Sequence, residues 1–319
     1  MIHVPVLLNE TLQALTLAPR ETEVDPRTLR GLDCTFGRGG HTRALLTQFP
    51  NLHLTSLDRD PQAIEYGQAQ CADLISSQRL ELKHISFQDF ATQLDSAVRF
   101  DLILMDLGVS SPQLDQPERG FSLRHDGPLD MRMNPKDSIS AATIVNQSEE
   151  EELLQIFREL GEVTKPQRVV RAILNDRGTT PFTTTRQLAS LIERVDGWTK
   201  KGFHPATLYF MGLRMAVNRE IEQLSIALPL LMESLTEGGR MAVITFHSIE
   251  DRIVKNAFRN SSIGNALNNS VITPNAEEET QNSRARSAKL RVFERGLESG
   301  PRKKKDKYAH LKEDKNGRT

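Results

Sequence analysis

Apolar residues in the first third of the chain fall into short runs that end in acids, separated by stretches with helical spacing. Leu32-Asp33-Cys34 leads into Thr35-Phe36-Gly37-Arg38-Gly39-Gly40-His41 and then Ala44, Leu45 and Leu46. That order predicts a short buried strand, a glycine-rich turn and the first turn of a helix. Residues 52–57 make a second apolar run that ends in Asp58, and Pro61 suits the first turn of a helix over 62–72. Alternation over 80–85 predicts a third strand, with Phe87 just past its end. Residues 100–105 are apolar enough for a strand buried on both faces, and the run ends in Asp106.

Beyond Pro112 the pattern changes. Residues 113–138 are charged and broken by Pro117, Gly120, Gly127, Pro128 and Pro135. Ser148 with Glu151 reads as a capping box opening a helix with Leu153, Leu154, Ile156, Phe157 and Leu160 inward, closed by Gly161. A second helix starts near Thr184, with Leu188, Leu191, Ile192 and Val195 on one face. The α/β pattern then resumes. Pro205 is expected to start a long helix carrying Leu208, Phe210, Leu213, Val217, Ile221 and Leu224, with Pro229 near the start of the next. Glu237-Gly238-Gly239-Arg240 is expected to end that helix and feed a strand over 241–246, followed by His247. With a helix over 10–17 and a polar linker over 18–30, the pattern predicts a discontinuous α/β domain, 1–112 and 205–296. A helical insertion, 113–204, interrupts it, and a basic, disordered tail, 297–319, follows.

The candidate chemistry sits at the strand ends. Three glycines in the four positions 37–40 let the backbone approach a ligand closely, and the amides of the following helix point at it. Asp58, at the tip of the second strand, stands where a ribose diol would find its acceptor. These features fit a dinucleotide or S-adenosylmethionine equally. Asp106 either caps local amides or joins the cofactor edge, and His247 at a later strand end is either structural or substrate-facing.

Charge and composition narrow the classes. The 319 residues include 41 basic and 42 acidic ones, so the whole molecule is no general polyanion binder. Ten Lys or Arg lie between Arg284 and Lys307 against three acids, which suits a phosphate-contacting surface. Arg119, Arg124, Arg132, Lys165, Arg168 and Arg171 of the insertion could line a nucleic-acid groove. Cys34 and Cys71 show no metal-ligand spacing, so neither zinc nor a disulfide is expected. No apolar run spans a membrane and no basic leader opens the chain, which points to the cytoplasm.

Taken together the motifs resemble one family, the bacterial small-subunit ribosomal RNA cytosine-N4 methyltransferases of the RsmH or MraW group. The resemblance rests on His3, Val6-Leu7-Leu8 and Glu10, on 35–41, on Asp58-Arg59-Asp60-Pro61, and on the long blocks 106–115 and 127–133. Glu118-Arg119-Gly120-Phe121-Ser122, His204-Pro205-Ala206-Thr207, 246–252 and 284–291 complete it. It implies a class I methyltransferase fold, a Rossmann-like sheet with an inserted helical domain for substrate recognition. The implied reaction is methylation of the exocyclic amine of a P-site cytidine in 16S rRNA, with the small subunit as partner.

The cofactor contacts implied are Gly39, Gly40, His41, Asp58, Phe87, Asp106 and Gln113. Asp106, or a backbone carbonyl in 107–111, would accept a hydrogen bond from the amine, while Arg132 and His247 are the substrate-side candidates. No metal is expected, and a homodimer is left open. Leu208, Met211, Val163 and Ser283 depart from the usual pattern, and the polar pair lost at Leu208 and Met211 bears on contacts made by the helix after His204. An NAD-dependent oxidoreductase and a noncatalytic RNA-binding factor are the rival classes.

Overall fold

The computed structural model describes residues 5–17, 28–198, 203–268 and 270–296. His3, most of the polar linker and the basic tail 297–319 therefore lie outside the described residues. Seven strands form one sheet: β1 (Leu29–Asp33), β2 (Leu52–Asp58), β3 (Leu80–His84), β4 (Phe100–Asp106), β5 (Leu235–Thr245), β6 (Gly264–Ala266) and β7 (Lys289–Arg295). Their order is β3-β2-β1-β4-β5-β7-β6. Strands β1 to β5 run parallel, β7 is antiparallel to β5, and β6 is antiparallel to β7. Chain order reverses between β1 and β4, which opens a crevice beyond their C-terminal ends. This mixed sheet is the class I methyltransferase architecture that the motifs imply.

Both faces are covered because alternate residues of each strand point opposite ways. On β4, Leu102 and Leu104 join an apolar cluster with Leu45, Leu46 and Leu15, while Ile103 and Met105 join Leu228, Leu231 and Phe258 on the other face. The first face is packed by α1 (Leu8–Leu15), α2 (Gly40–Gln48), α3 (Pro61–Gln70) and α4 (Ala72–Ser76). The second takes α5 (Phe87–Gln93).

A short α6 (Ser111–Asp115) then leads to α7 (Ala141–Gln147), α8 (Glu150–Gln155), α9 (Gln167–Arg177) and α10 (Thr185–Asp196). Their apolar faces make a cluster of their own, from Phe121 to Val217, with Phe157 set edge-on to Tyr209 at 4.9 Å between centroids. Tyr209, Phe210, Leu213 and Val217 of α11 (Thr207–Asn218) belong to this helical cluster. The chain returns to the sheet through α12 (Glu220–Glu233), and α13 (Ser248–Asn260) and α14 (Ala276–Gln281) follow.

The structure departs from the sequence pattern in several places. Ser148 closes α7, its N–H bonded to the Ile144 carbonyl, and α8 starts after Glu149, so the expected capping box does not form. The long helix from Pro205 is two helices, broken at Arg219 with φ 50°, because Asn218 turns its amide to a neighbouring loop. Pro229 lies inside α12 on its exposed side, where water can hydrate the carbonyl that proline leaves unbonded.

Gly238 and Gly239 sit in the irregular start of β5 instead of a helix end, with the β4–β5 register shifting opposite Phe100 and Leu102. The basic stretch 284–295 is partly a sheet strand. Arg291 pairs with Asp251 on β7's neighbouring helix at 2.7 Å, Lys289 lies 3.6 Å from the same carboxylate, and Arg295 bonds backbone carbonyls of Glu233 and Leu235. Those three cations serve the fold, Arg284 and Arg286 are exposed, and the rest of the basic stretch expected to contact phosphates lies outside the described residues.

Candidate functional site

The site is built where β1 ends. Asp33 is buried and its carboxylate takes the Thr35 N–H at 3.1 Å and the Thr42 hydroxyl at 2.7 Å, tying the turn to α2. The Thr35 hydroxyl in turn accepts the Asp106 N–H at 2.7 Å, so the tips of β1 and β4 are stitched together. Gly37 and Gly39 have φ of 56° and 71°, which glycine adopts without strain. A Cβ on Gly37 would meet nothing, whereas one on Gly39 would strike the Phe36 ring at 2.7 Å and one on Gly40 would strike Pro5 at 2.3 Å. The turn is tight on its protein side and open on the other.

Asp58 stands at the tip of β2, facing the turn. Its two oxygens accept the Gly37 N–H and the Asp60 N–H, both at 2.8 Å. Burial raises its pKa to about 6; these two N–H donors work against the rise, while Asp60 and Asp33 add to it. Asp60 caps α3 through the Gln62 N–H.

Asp106 stands at the tip of β4, in contact with the same space. One carboxylate oxygen lies 3.5 Å from Nδ1 of His41, whose Nε2 is 3.1 Å from the Val6 carbonyl. Burial disfavours the charged imidazole, yet Asp106, Asp33 and that carbonyl together hold His41 above its ordinary pKa. The other oxygen of Asp106, Oδ1, is buried and has no hydrogen-bond partner among the described residues. The side chain is 26% exposed through its other atoms, so a ligand N–H or O–H in the cavity would meet Oδ2 and not Oδ1.

These groups wall one cavity of about 580 Å³, within the roughly 300–1,000 Å³ usual for small-molecule sites. Of the expected residues, Gly40, His41, Asp58, Phe87, Asp106 and Gln113 line it. Gly39 does not; it caps α2 behind the turn. Gln113 reaches the cavity wall, but its amide is engaged, accepting the Ser110 N–H and donating to Asp60.

Arg132 and His247 are not in the lining. The Arg132 guanidinium is spent on Asp130, at 2.6 and 2.8 Å, and on the Asp137 carbonyl. His247 caps α13 through Nδ1, which accepts the Glu250 N–H at 3.4 Å.

The sequence reading missed the far wall. Tyr66 and Arg38 stack at 4.1 Å beside the glycine turn, and Met133, Glu220, Gln223, Phe246 and Glu250 close the opposite side. Only tertiary packing brings these together, since they come from α3, the insertion, α12 and α13. Glu250 is buried; burial opposes its charge, but His247, Arg214 and the Phe246 N–H outweigh it and keep its pKa low.

Glu220, His247 Nε2 and Glu250 lie within 4.8 Å of one another. Their chemistry does not suit a metal. Arg214 holds both Glu220 oxygens, at 2.8 and 2.9 Å, and the cap at Nδ1 leaves the His247 proton on Nε2, 3.0 Å from Glu250.

Comparison with known proteins agrees with this geometry. The chain is 51% identical over 297 residues to the ribosomal RNA small subunit methyltransferase H of Bdellovibrio bacteriovorus, covering 93% of this chain and 88% of that protein. It is 41% identical to the protein of the same name from Pseudoalteromonas atlantica, covering 92% and 98%, and 44% identical to that from Cyanothece sp., covering 92% and 95%. The profile of the MraW methylase family matches residues 1–296. The glycine turn and the acids closing β2 and β4 suit either cofactor, and the family match decides for S-adenosylmethionine over a dinucleotide. The chain belongs to the MraW methylase family, and it is an S-adenosylmethionine-dependent methyltransferase.

Proposed function

We propose that this protein methylates the exocyclic N4 of a P-site cytidine of 16S rRNA in the small ribosomal subunit. The curated relatives, all named for the small subunit's ribosomal RNA, support the substrate class. The observation that supports an amine acceptor is the partly exposed Asp106 carboxylate, which lines the cavity at the tip of β4 beside the glycine turn and can accept an N–H there.

S-adenosylmethionine, when bound, supplies an already activated methyl group on its sulfonium. The chain's own task is then to orient the acceptor and exclude water. A cytosine amine is a poor nucleophile because its lone pair is delocalised into the ring. Asp106 accepting one N–H favours a more tetrahedral nitrogen with its lone pair free to attack; as the N–C bond forms at the expense of the donor's S–C bond, Asp106 would take the proton the nitrogen loses and pass it to solvent.

In this reading Gly37, Gly40 and His41 hold the cofactor from the turn, Asp58 accepts from the ribose, and Phe87 lies beside the adenine. Gly39 shapes the turn, Gln113 fixes the loop after β4, and Arg132 and His247 act as supports. The base must leave its stack to reach the cavity, which suits loop or single-stranded RNA. The inserted helical domain, 113–204, with α11 packed into the same cluster, would grip that RNA. Action in the cytoplasm as a monomer or homodimer completes the proposal, and sedimentation of the full chain distinguishes the two.

The test is transfer of a labelled methyl group to small subunits from a strain lacking this protein, followed by nucleoside analysis. N4-methylcytidine at one site is expected; label on another atom or on no RNA refutes the reading. Asp106→Asn should lower kcat by roughly 10²–10³, as loss of one preorganised hydrogen-bonding group does, with cofactor affinity retained. Undiminished transfer by this variant would remove Asp106 from the chemistry.

A further inference from the structure

We propose that Arg119 is a positioning residue that sets the substrate-facing wall at Met133 against the ribose-binding loop, so that methyl transfer depends on it and cofactor binding does not. The inference rests on the function proposed above. Arg119 lies in the helical turn Pro117–Arg119 before the insertion and is only 6% exposed. Its guanidinium spans the two sides of the cavity. Toward the cofactor side, Nη1 lies 2.8 Å from Asp60 Oδ2 and donates to Gln62 Oε1 at 3.2 Å. Toward the substrate side, Nη2 donates to the carbonyls of Arg132 and Met133, at 3.1 and 2.9 Å.

Asp60 is well placed to transmit position. Its backbone N–H is held by Asp58, its Oδ1 caps α3, and its Oδ2 also accepts the Gln113 amide at 2.9 Å. The loop that Arg119 grips is otherwise held at a distance from the sheet. Asn218, fully buried at the end of α11, accepts the Met133 N–H and donates to the Met131 carbonyl, both at 2.8 Å. Met131 has φ 63°, a conformation that a methionine keeps only where its surroundings impose it.

A second arginine crosses in the opposite direction. Arg59, next to the ribose acid, donates to the Asn218 carbonyl and to Asp137 Oδ2, each at 2.8 Å. The cofactor loop and the 131–137 loop are thus clasped from both sides, and Met133 lines the cavity as a result. Arginine is required for this because one planar group reaches acceptors on two elements at once, which a lysine point charge does not.

The experiment measures single-turnover methyl transfer to small subunits at saturating cofactor, and cofactor Kd by calorimetry, for Arg119→Lys, Arg119→Gln and Gln62→Leu. For Arg119→Lys and Arg119→Gln a fall of about 100-fold in rate is expected, the scale of a 1 Å misplacement, with Kd for S-adenosylmethionine within about threefold of wild type. Gln62→Leu, which removes one acceptor of the Arg119 guanidinium at an exposed position, should fold normally and lower the rate by about tenfold with Kd unchanged, the loss of one hydrogen bond to a charged group, which keeps the idea testable if the Arg119 variants do not fold. Retained rate in folded variants overturns the proposal. So does a loss of rate matched by an equal loss of cofactor affinity, because Arg119 would then only prop up Asp58. A wild type that binds S-adenosylmethionine but labels nothing in these particles refutes the rRNA reading instead, before any variant is compared.

Discussion

The proposed ribose contact at Asp58 would tie cofactor affinity to pH. The pKa of Asp58 is raised by burial from 3.8 to about 6. That difference corresponds to about 3 kcal/mol separating its two protonation states in the folded protein, at 1.36 kcal/mol per pH unit. The sign follows from proton binding. Between these two values the folded protein holds the proton more tightly than the unfolded chain, so stability falls as pH rises from about 4 to about 6 and is level above.

The ionised form kept at neutral pH is the better acceptor for two ribose hydroxyls. Cofactor binding should therefore weaken on acidification, by up to tenfold per unit below about pH 6, and be flat with respect to this group above it. Calorimetry of S-adenosylmethionine binding from about pH 8 to about pH 5 would show it, with Asp58→Asn as the control for His41, whose pKa is also raised.

At about pH 7.5 the variant should bind roughly 10- to 150-fold more weakly, the loss of about 1.5–3 kcal/mol for hydrogen bonds to a charged group. Its own pH profile should lack the step near pH 6. The free variant should be no less stable than wild type by more than about 1–3 kcal/mol, the cost of one backbone N–H left facing the new amide. If wild type and Asp58→Asn show the same slope on acidification, the assignment of Asp58 to the ribose is wrong.

Three further outcomes follow from the packing. Gly120→Ala places a Cβ 2.1 Å from the Pro128 carbonyl oxygen at a φ of 73°, and should cost about 3 kcal/mol or more from strain and overpacking, read as a lowered thermal midpoint. Phe157→Ala empties the centre of the helical cluster, and about 3–5 kcal/mol should be lost in denaturant unfolding; a loss under about 1 kcal/mol would mean that Phe157 is not a core residue. Adding a chelator should leave the initial rate of methyl transfer unchanged, because Arg214 and the α13 cap already engage Glu220 and His247; a metal-restorable loss would show otherwise.

The parts of this protein that were readable residue by residue are those governed by neighbours in the chain. The glycine turn, the acids closing β2 and β4, the cap at Thr184 and the proline opening α3 are local devices, and each stands within a few residues of its expected place. Burial on alternate or on both faces writes itself into a strand of five to seven residues, so the parallel strands were visible. Strand β7 was hidden because Lys289, Arg291 and Arg295 read as a basic surface. Their charges are absorbed by Asp251 and by backbone carbonyls from elements roughly 40 to 60 positions away.

The break at Arg219 depends on Asn218 bonding a loop 85 residues earlier, and no periodicity encodes that. The same holds for the far wall of the cavity and for the Arg119 clasp. Hydrogen bonds and ion pairs between distant segments leave no spacing signal, so which arginine is structural, which carboxylate stays unsatisfied and which side chains face the methyl acceptor emerge only when the chain has folded.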